Sequence, residues 1–272
     1  MKNNYFMKCL FCKSSESEKR FISTVDNIEY FICKYCKCHT QVDPININYN
    51  EDYWQDDVVD PDGIKRNFTE EKLFKIQNWY GEIINYINTF SNPEVLDVGC
   101  GLGYLLSALN TNSKTGLESS DFCVKFIKNN FAKINIIKGE SEKLDLIDNK
   151  FDIVVAYHVI EHLDDPKDFF KKLKDKLKSS GKLIIGTPCI NTLISNYFGK
   201  NYRLYGKSHK ILLNEKCLKG LFEDNGFKIF KVEKPFLRTK YNNFGNFLRL
   251  FNKNKISPPF YGSIMTIYGR LN

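Results

Sequence analysis

The sequence predicts an α/β fold: a parallel sheet with helices on both faces, led by a small cysteine-rich knuckle. Three observations predict it. From about residue 70 onward, short apolar runs alternate with segments of helical period. A glycine-rich turn, 99–103, follows the first of those runs. Two Cys-x-x-Cys pairs, Cys9/Cys12 and Cys33/Cys36, stand ahead of all this.

The elements follow in order. Residues 1–45 read as the knuckle, with strand-like pieces at 20–22 and 30–32 between the cysteine pairs. Residues 46–69 are polar and acidic around Tyr53, Trp54, Pro61 and Gly63, and read as a linker before a domain at 70–272. Leu73, Ile76, Trp79, Tyr80, Ile83, Ile84 and Ile87 recur at helical spacing and predict a core-facing helix over 70–89. Strands are then expected at 95–98, 114–117, 134–137, 151–155 and 182–185. Helices are expected at 104–109, 121–131 and 166–177. Continuous apolar strands such as Phe151-Asp152-Ile153-Val154-Val155 suit a sheet covered on both sides. The last third differs. A helix at 215–225 ends at Gly226, a favourable C-cap residue. Two strands, 227–233 and 263–269, flank an irregular basic and aromatic stretch, 235–261.

Composition narrows the function classes. Hydrophobic residues make up 42%, enough for a packed core. The net charge of +8 is mostly lysine spread along helices, as at Lys171, Lys172, Lys174, Lys176 and Lys178. That pattern reads as a solvated face rather than a nucleic-acid patch. No apolar run has the length to span a bilayer. The first residues, Met1 to Phe6, lack the apolar stretch of a signal peptide. The expected location is cytoplasmic, which argues against a disulfide scaffold for the nine cysteines.

Asp97-Val98-Gly99-Cys100-Gly101-Leu102-Gly103 sits at the first strand-to-helix turn, where open α/β sheets bind ligands. A dinucleotide fingerprint spaces its glycines G-x-G-x-x-G around a pyrophosphate. Here the spacing is G-x-G-x-G behind an acid. A carboxylate repels pyrophosphate and suits a cationic ligand with an amino group. Glu118 ends the second strand, where a carboxylate can take two ribose hydroxyls. Gly139-Glu140-Ser141-Glu142 follows the third, placed to hold an adenine.

With these residues the chain resembles class I S-adenosylmethionine-dependent methyltransferases. Residues 95–103 are similar to their first motif. Residues 151–166, including Tyr157-His158-Val159-Ile160-Glu161-His162, are similar to their fourth-strand motif, in the branch of ubiquinone-biosynthesis and sugar O-methyltransferases. Ser208-His209-Lys210 and Asn225-Gly226-Phe227 also recur there. The similarity covers roughly residues 70–270. It implies a Rossmann-like seven-stranded sheet of order 3-2-1-4-5-7-6, with strand 7 antiparallel. It implies S-adenosylmethionine as cofactor, held by Asp97, Gly99, Gly101, Gly103, Glu118, Glu140, Ser141 and His158. The acceptor expected is a small molecule: a hydroxyl of a sugar, sugar nucleotide or glycan precursor. Tyr197, Tyr202, Arg203, Tyr205, Arg238, Tyr241, Arg249 and Tyr261 are the candidates to contact it. The competing reading is an RNA methyltransferase or RNA-binding protein with a zinc knuckle. It fits less well, because Ala156-Tyr157-His158-Val159 stands where base-amine methyltransferases often carry Asn-Pro-Pro-Tyr.

Two Cys-x-x-Cys pairs in separate turns can place four thiolates tetrahedrally around zinc. Cys9, Cys12, Cys33 and Cys36 are the expected ligands, with Cys38 an alternative in the second pair. Similar methyltransferases carry Gly after that pair; here Lys37 stands there. A four-thiolate site has no open position, so the zinc is expected to be structural. Methyl transfer to a hydroxyl benefits from a proton acceptor. His209 and His158 are the candidates, with His209 favoured because its loop also carries Tyr202, Arg203 and Tyr205. His39, beside the knuckle, reads as exposed. In the ubiquinone branch, acids and a histidine around Glu161-His162 can bind a divalent metal, and Asp164 and Asp165 lie close by.

Overall fold

The computed structural model describes residues 8–47, 51–54, 73–239 and 241–272. Most of the expected linker, and the expected start of the helix at 70–72, lie outside the described residues. The chain opens with a three-stranded antiparallel unit, β1 Ser17–Ile22, β2 Glu29–Cys33 and β3 His39–Gln41. A short helix, α1 Glu51–Trp54, and a long one, α2 Leu73–Ile87, lead into the main domain. There follow β4 Val95–Val98, α3 Tyr104–Ser107, β5 Lys114–Glu118, α4 Asp121–Asn130, β6 Asn135–Lys138 and β7 Phe151–Tyr157. The second half comprises α5 Pro166–Asp175, β8 Leu177–Ile190, α6 Leu193–Phe198, β9 Ile211–Asn214, α7 Glu215–Asp224, β10 Phe227–Glu233, α8 Phe244–Arg249 and β11 Ile264–Leu271.

Across the sheet the strands run β6-β5-β4-β7-β8-β11-β10, the order the resemblance implies. β4 pairs in parallel with β5 and β7, while β11 runs antiparallel to both β8 and β10. Period-two alternation builds two cores. On β7, Val154 and Ala156 join one apolar cluster with Phe169, Phe170 and Phe222 from α5 and α7. Ile153 and Val155 join the other with Ile83, Ile84 and Ile87 from α2. The helices are capped locally. The Asp165 carboxylate accepts from the Lys167 and Asp168 amides, with Pro166 opening α5. Gly226 takes φ +82° just past α7. No helix among the described residues is long and apolar enough to cross a membrane.

The expectation of seven strands is corrected: among the described residues the sheet has eleven. β8 is 14 residues long. β11 covers one edge of it as far as Pro188, and beyond that Cys189 and Ile190 pair in parallel with β9. Pro188, with no N–H to give a ladder, stands at the changeover. β9 then pairs with β3, His39 opposite Leu212, so the knuckle strands extend the main sheet. β9 has four residues, all buried, and so shows no alternation by which sequence could reveal it.

Candidate active site

The carboxyl ends of β4, β5, β6 and β7 form one crevice. Gly99 and Gly101 open the loop after β4 with φ of +71° and +53°, the left-handed region that costs other residues about 1–2 kcal/mol. A Cβ on Gly99 would lie 2.5 Å from Val159 Cγ2, so only glycine lets this loop pack on the one after β7. The Gly101 amide donates to Glu118 Oε2 at 2.8 Å, and the Ser120 amide donates to Oε1 at 2.8 Å. Glu118 thus fixes the glycine loop from the neighbouring strand. The Gly139 amide donates to the Glu118 carbonyl at 2.9 Å, which sets Glu140 and Ser141 beside the same crevice. Gly103, at φ +75°, precedes α3.

Asp97 is 4% exposed, and among the described residues no donor hydrogen-bonds its carboxylate. Burial, and then the charge of Glu118, push it up to about 8. Among the described residues no cation offsets this, and a buried acid so placed suits a cationic ligand. Trp54, in the segment expected to be a linker, packs on this loop, with Cη2 3.2 Å from where a Gly101 Cβ would stand.

The end of β7 carries a histidine cluster. His158 takes φ +58°, its amide donating to the Gly186 carbonyl at 2.8 Å. Glu161 is fully buried, accepts from Thr187 Oγ1 at 2.9 Å, and lies 2.9 Å from His158 Nδ1. Burial alone would raise Glu161, but the His158 bond and the charges of His158, His162 and His209 hold it at about 2. Glu161 is therefore ionised and accepts, and His158 Nδ1 donates; in a neutral ring this leaves Nε2 as the acceptor, on a side chain with 36% exposure. His162 Nδ1 donates to the Ser208 carbonyl at 2.6 Å and His209 Nδ1 to the Leu204 carbonyl at 2.7 Å. Carbonyls only accept, which fixes both tautomers. Burial and His162 push His209 down to about 4. One ligand atom each from Glu161, His162 and His209 lie within 4.8 Å of one another. Asp164 instead pairs with Lys210 at 2.8 Å.

A profile of the methyltransferase domain matches residues 68–232, more than half of the chain. The chain belongs to this methyltransferase family. It carries a methyltransferase domain with the class I strand order. Among curated relatives, the ubiquinone biosynthesis O-methyltransferase of Rickettsia bellii is 32% identical over 112 residues, 39% of this chain and 46% of that protein. The mitochondrial ubiquinone biosynthesis O-methyltransferase of Schizosaccharomyces pombe is 28% identical over 114 residues, 39% of this chain and 42% of that protein. The chain thus spans less than half the length of these relatives. Among solved structures, a SAM-dependent methyltransferase from Archaeoglobus fulgidus is 23% identical with TM-score 0.54, covering 73% of this chain and 94% of that one. Magnesium protoporphyrin IX methyltransferase from Synechocystis, solved with bound SAH, is 15% identical with TM-score 0.53, covering 73% and 84%. These two share the fold.

The crevice fits S-adenosylmethionine on this methyltransferase's own chemistry: a buried acid at Asp97 that meets no donor among the described residues, a glycine loop that tolerates no Cβ at Gly99, and a carboxylate at Glu118. Other expectations fared differently. His39 is buried, not exposed; its Nδ1 lies 2.7 Å from Tyr205 Oη, and burial pushes it down to about 4. Tyr202 is buried too and donates to the Cys189 carbonyl at 2.9 Å. Both tyrosines tie the 191–210 loop to the fold. Tyr197 and Tyr261 are exposed.

Cys9, Cys12, Cys33 and Cys36 converge beside the start of β3, with Sγ atoms 3.5 Å apart for Cys9–Cys36 and 3.4 Å for Cys12–Cys33. The two turns are alike. The Lys13 amide donates to the Cys9 carbonyl and the Lys37 amide to the Cys33 carbonyl. Lys13 and Lys37 take φ +60° and +59°, the conformation a glycine would adopt freely. Sequence reasoning missed Cys217, which reaches the cluster from α7, its Sγ 3.3 Å from the Cys36 carbonyl oxygen.

Proposed function

We propose that this methyltransferase transfers a methyl group to a hydroxyl of a small molecule and that His158 takes the hydroxyl proton. His158 carries the reading. It stands just past β7, half exposed, with Nδ1 engaged by ionised Glu161 and Nε2 left as the acceptor. S-adenosylmethionine supplies an electrophilic sulfonium methyl when bound. Asp97 balances its positive charge, Glu118 takes the ribose hydroxyls, and Glu140 and Ser141 flank the adenine. Glu161 keeps the His158 ring oriented and steadies the charge it gains with the proton. His209, donating through Nδ1 and held near 4 by burial, is a weaker base at neutral pH. His158→Ala should lower kcat about 10²–10⁴-fold with cofactor affinity intact. Equal loss in His209→Ala alone would overturn the assignment.

For the acceptor, two observations favour different classes. Tyr197, Arg238 and Tyr261, exposed in segments that leave the carboxyl edge, support a sugar or sugar-nucleotide hydroxyl. Leu193, Phe244, Phe247 and Phe251, exposed in the same segments, favour a hydroxyl on an aromatic acceptor with an apolar body, in keeping with relatives named for ubiquinone biosynthesis. One turnover panel of catechols and sugar nucleotides separates them. A second route to the base is a divalent cation on Glu161, His162 and His209, supported by their convergence. Loss of turnover in chelator, restored by added magnesium or zinc, is its test.

The four knuckle cysteines we assign to one structural zinc ion, supported by their grouping and by sulfur spacings near the ~3.8 Å of a tetrahedral Zn–S site. Protein purified without added metal should hold it, and metal-free protein under reducing conditions would refute this.

A further inference from the structure

The cysteine-rich end holds two thiols that a single zinc does not use. Cys38 is fully buried and Cys217 is 8% exposed, and both face Cys36. The sulfurs of Cys36, Cys38 and Cys217 lie within 4.8 Å of one another, as do those of Cys9, Cys12, Cys33 and Cys36. Cys36 belongs to both groups. We propose that the cluster is binuclear: a second zinc ion sits on Cys36, Cys38 and Cys217, and the Cys36 thiolate bridges the two metals.

The placement of Cys217 supports this. It is the third residue of α7, its amide donating to the Asn214 side chain at 2.9 Å. Asn214 Nδ2 also donates to the Cys36 carbonyl at 2.8 Å, so the start of α7 is clamped onto the second knuckle turn. Thiolates select d10 ions over harder cations, and a thiolate with two free lone pairs can bind two of them. Three thiolates leave one zinc position for water or another small ligand, unlike the closed first site. The second metal would tie the knuckle to the catalytic domain through a residue 181 positions from Cys36.

This rests on the zinc reading of the first site, and one measurement separates the two. Elemental analysis of the full chain, purified in reductant without chelator, should find two zinc ions, and one in Cys217→Ser. One zinc in both proteins overturns the second site alone. No zinc in either overturns both readings. Two in both excludes Cys217 as a ligand and also overturns the proposal. Should Cys217→Ser fold poorly, the unmutated chain exchanged into ¹¹³Cd decides. Two cadmium resonances split by metal–metal coupling through the bridging sulfur are expected, and uncoupled or single resonances overturn the bridge.

Discussion

Cofactor binding should release a proton, and Asp97 should be its source. In the free protein, burial and the charge of Glu118 hold this carboxyl at about 8. At pH 7 about ten molecules in eleven therefore carry the proton, while the positive ligand requires the ionised form. Binding at pH 7 then expels about 0.9 of a proton per site. The sign follows from linkage: a reaction that releases protons is favoured as pH rises. With the ionised fraction climbing from about 0.01 at pH 6 to about 0.09 at pH 7, affinity should rise about ninefold over that unit. The window stays below the ~7.7–8.0 at which a peptide α-amino group is half deprotonated.

Calorimetry in two buffers of different ionisation enthalpy, phosphate and Tris, measures the proton directly. The apparent binding heats should differ by about 0.9 of the difference in buffer enthalpy. Asp97→Asn cannot release this proton. It should bind about 10–150-fold more weakly, the loss of one charge-assisted interaction of about 1.5–3 kcal/mol, with heats independent of buffer. Equal heats in the two buffers with the unmutated protein would refute the reasoning. So would an Asp97→Asn variant that still releases the proton.

Three further outcomes are expected. Lys13→Gly and Lys37→Gly relieve left-handed backbone at +60° and +59°, so each should raise stability by up to about 1 kcal/mol, read as a shift in the denaturant midpoint; a loss would show that the side chains matter more than the backbone. His39 and His209 are each held near 4 against an ordinary 6.5, so the unfolded chain binds protons there that the folded chain does not. With cofactor saturating, so that Asp97 does not offset them, thermal stability should fall as pH drops from 6.5 toward 4, and His39→Gln should lessen the fall; a flat profile in that window contradicts the burial argument. Trp54 rests on the glycine loop, so the protein's tryptophan fluorescence should change on cofactor binding and the change should shrink in Trp54→Phe; an undiminished change would contradict the contact.

What sequence made legible was whatever a short stretch of chain decides for itself. The G-x-G-x-G turn, the acid at the end of β5 and the motif after β7 are each local, and the sheet order follows once each is set after its own strand. The cysteine pairs are legible for the same reason, because each occupies one tight turn. Long-range closure was not legible. β9 is a strand only because β8 outruns β11 and leaves two residues of open edge, and the knuckle then supplies β3. His39 is buried by that junction, so its residue type misled where its partner Tyr205, 166 positions away, decided. Cys217 has no cysteine at metal-ligand spacing in its own helix, and nothing before the fold distinguishes it from the other scattered thiols. The same holds for the two histidines. His158 and His209 are equal candidates as residue types. The carbonyl on His209 Nδ1 and the carboxylate on His158 Nδ1 separate them: a carbonyl only fixes a tautomer, whereas a buried carboxylate also stabilises the ring once it is protonated.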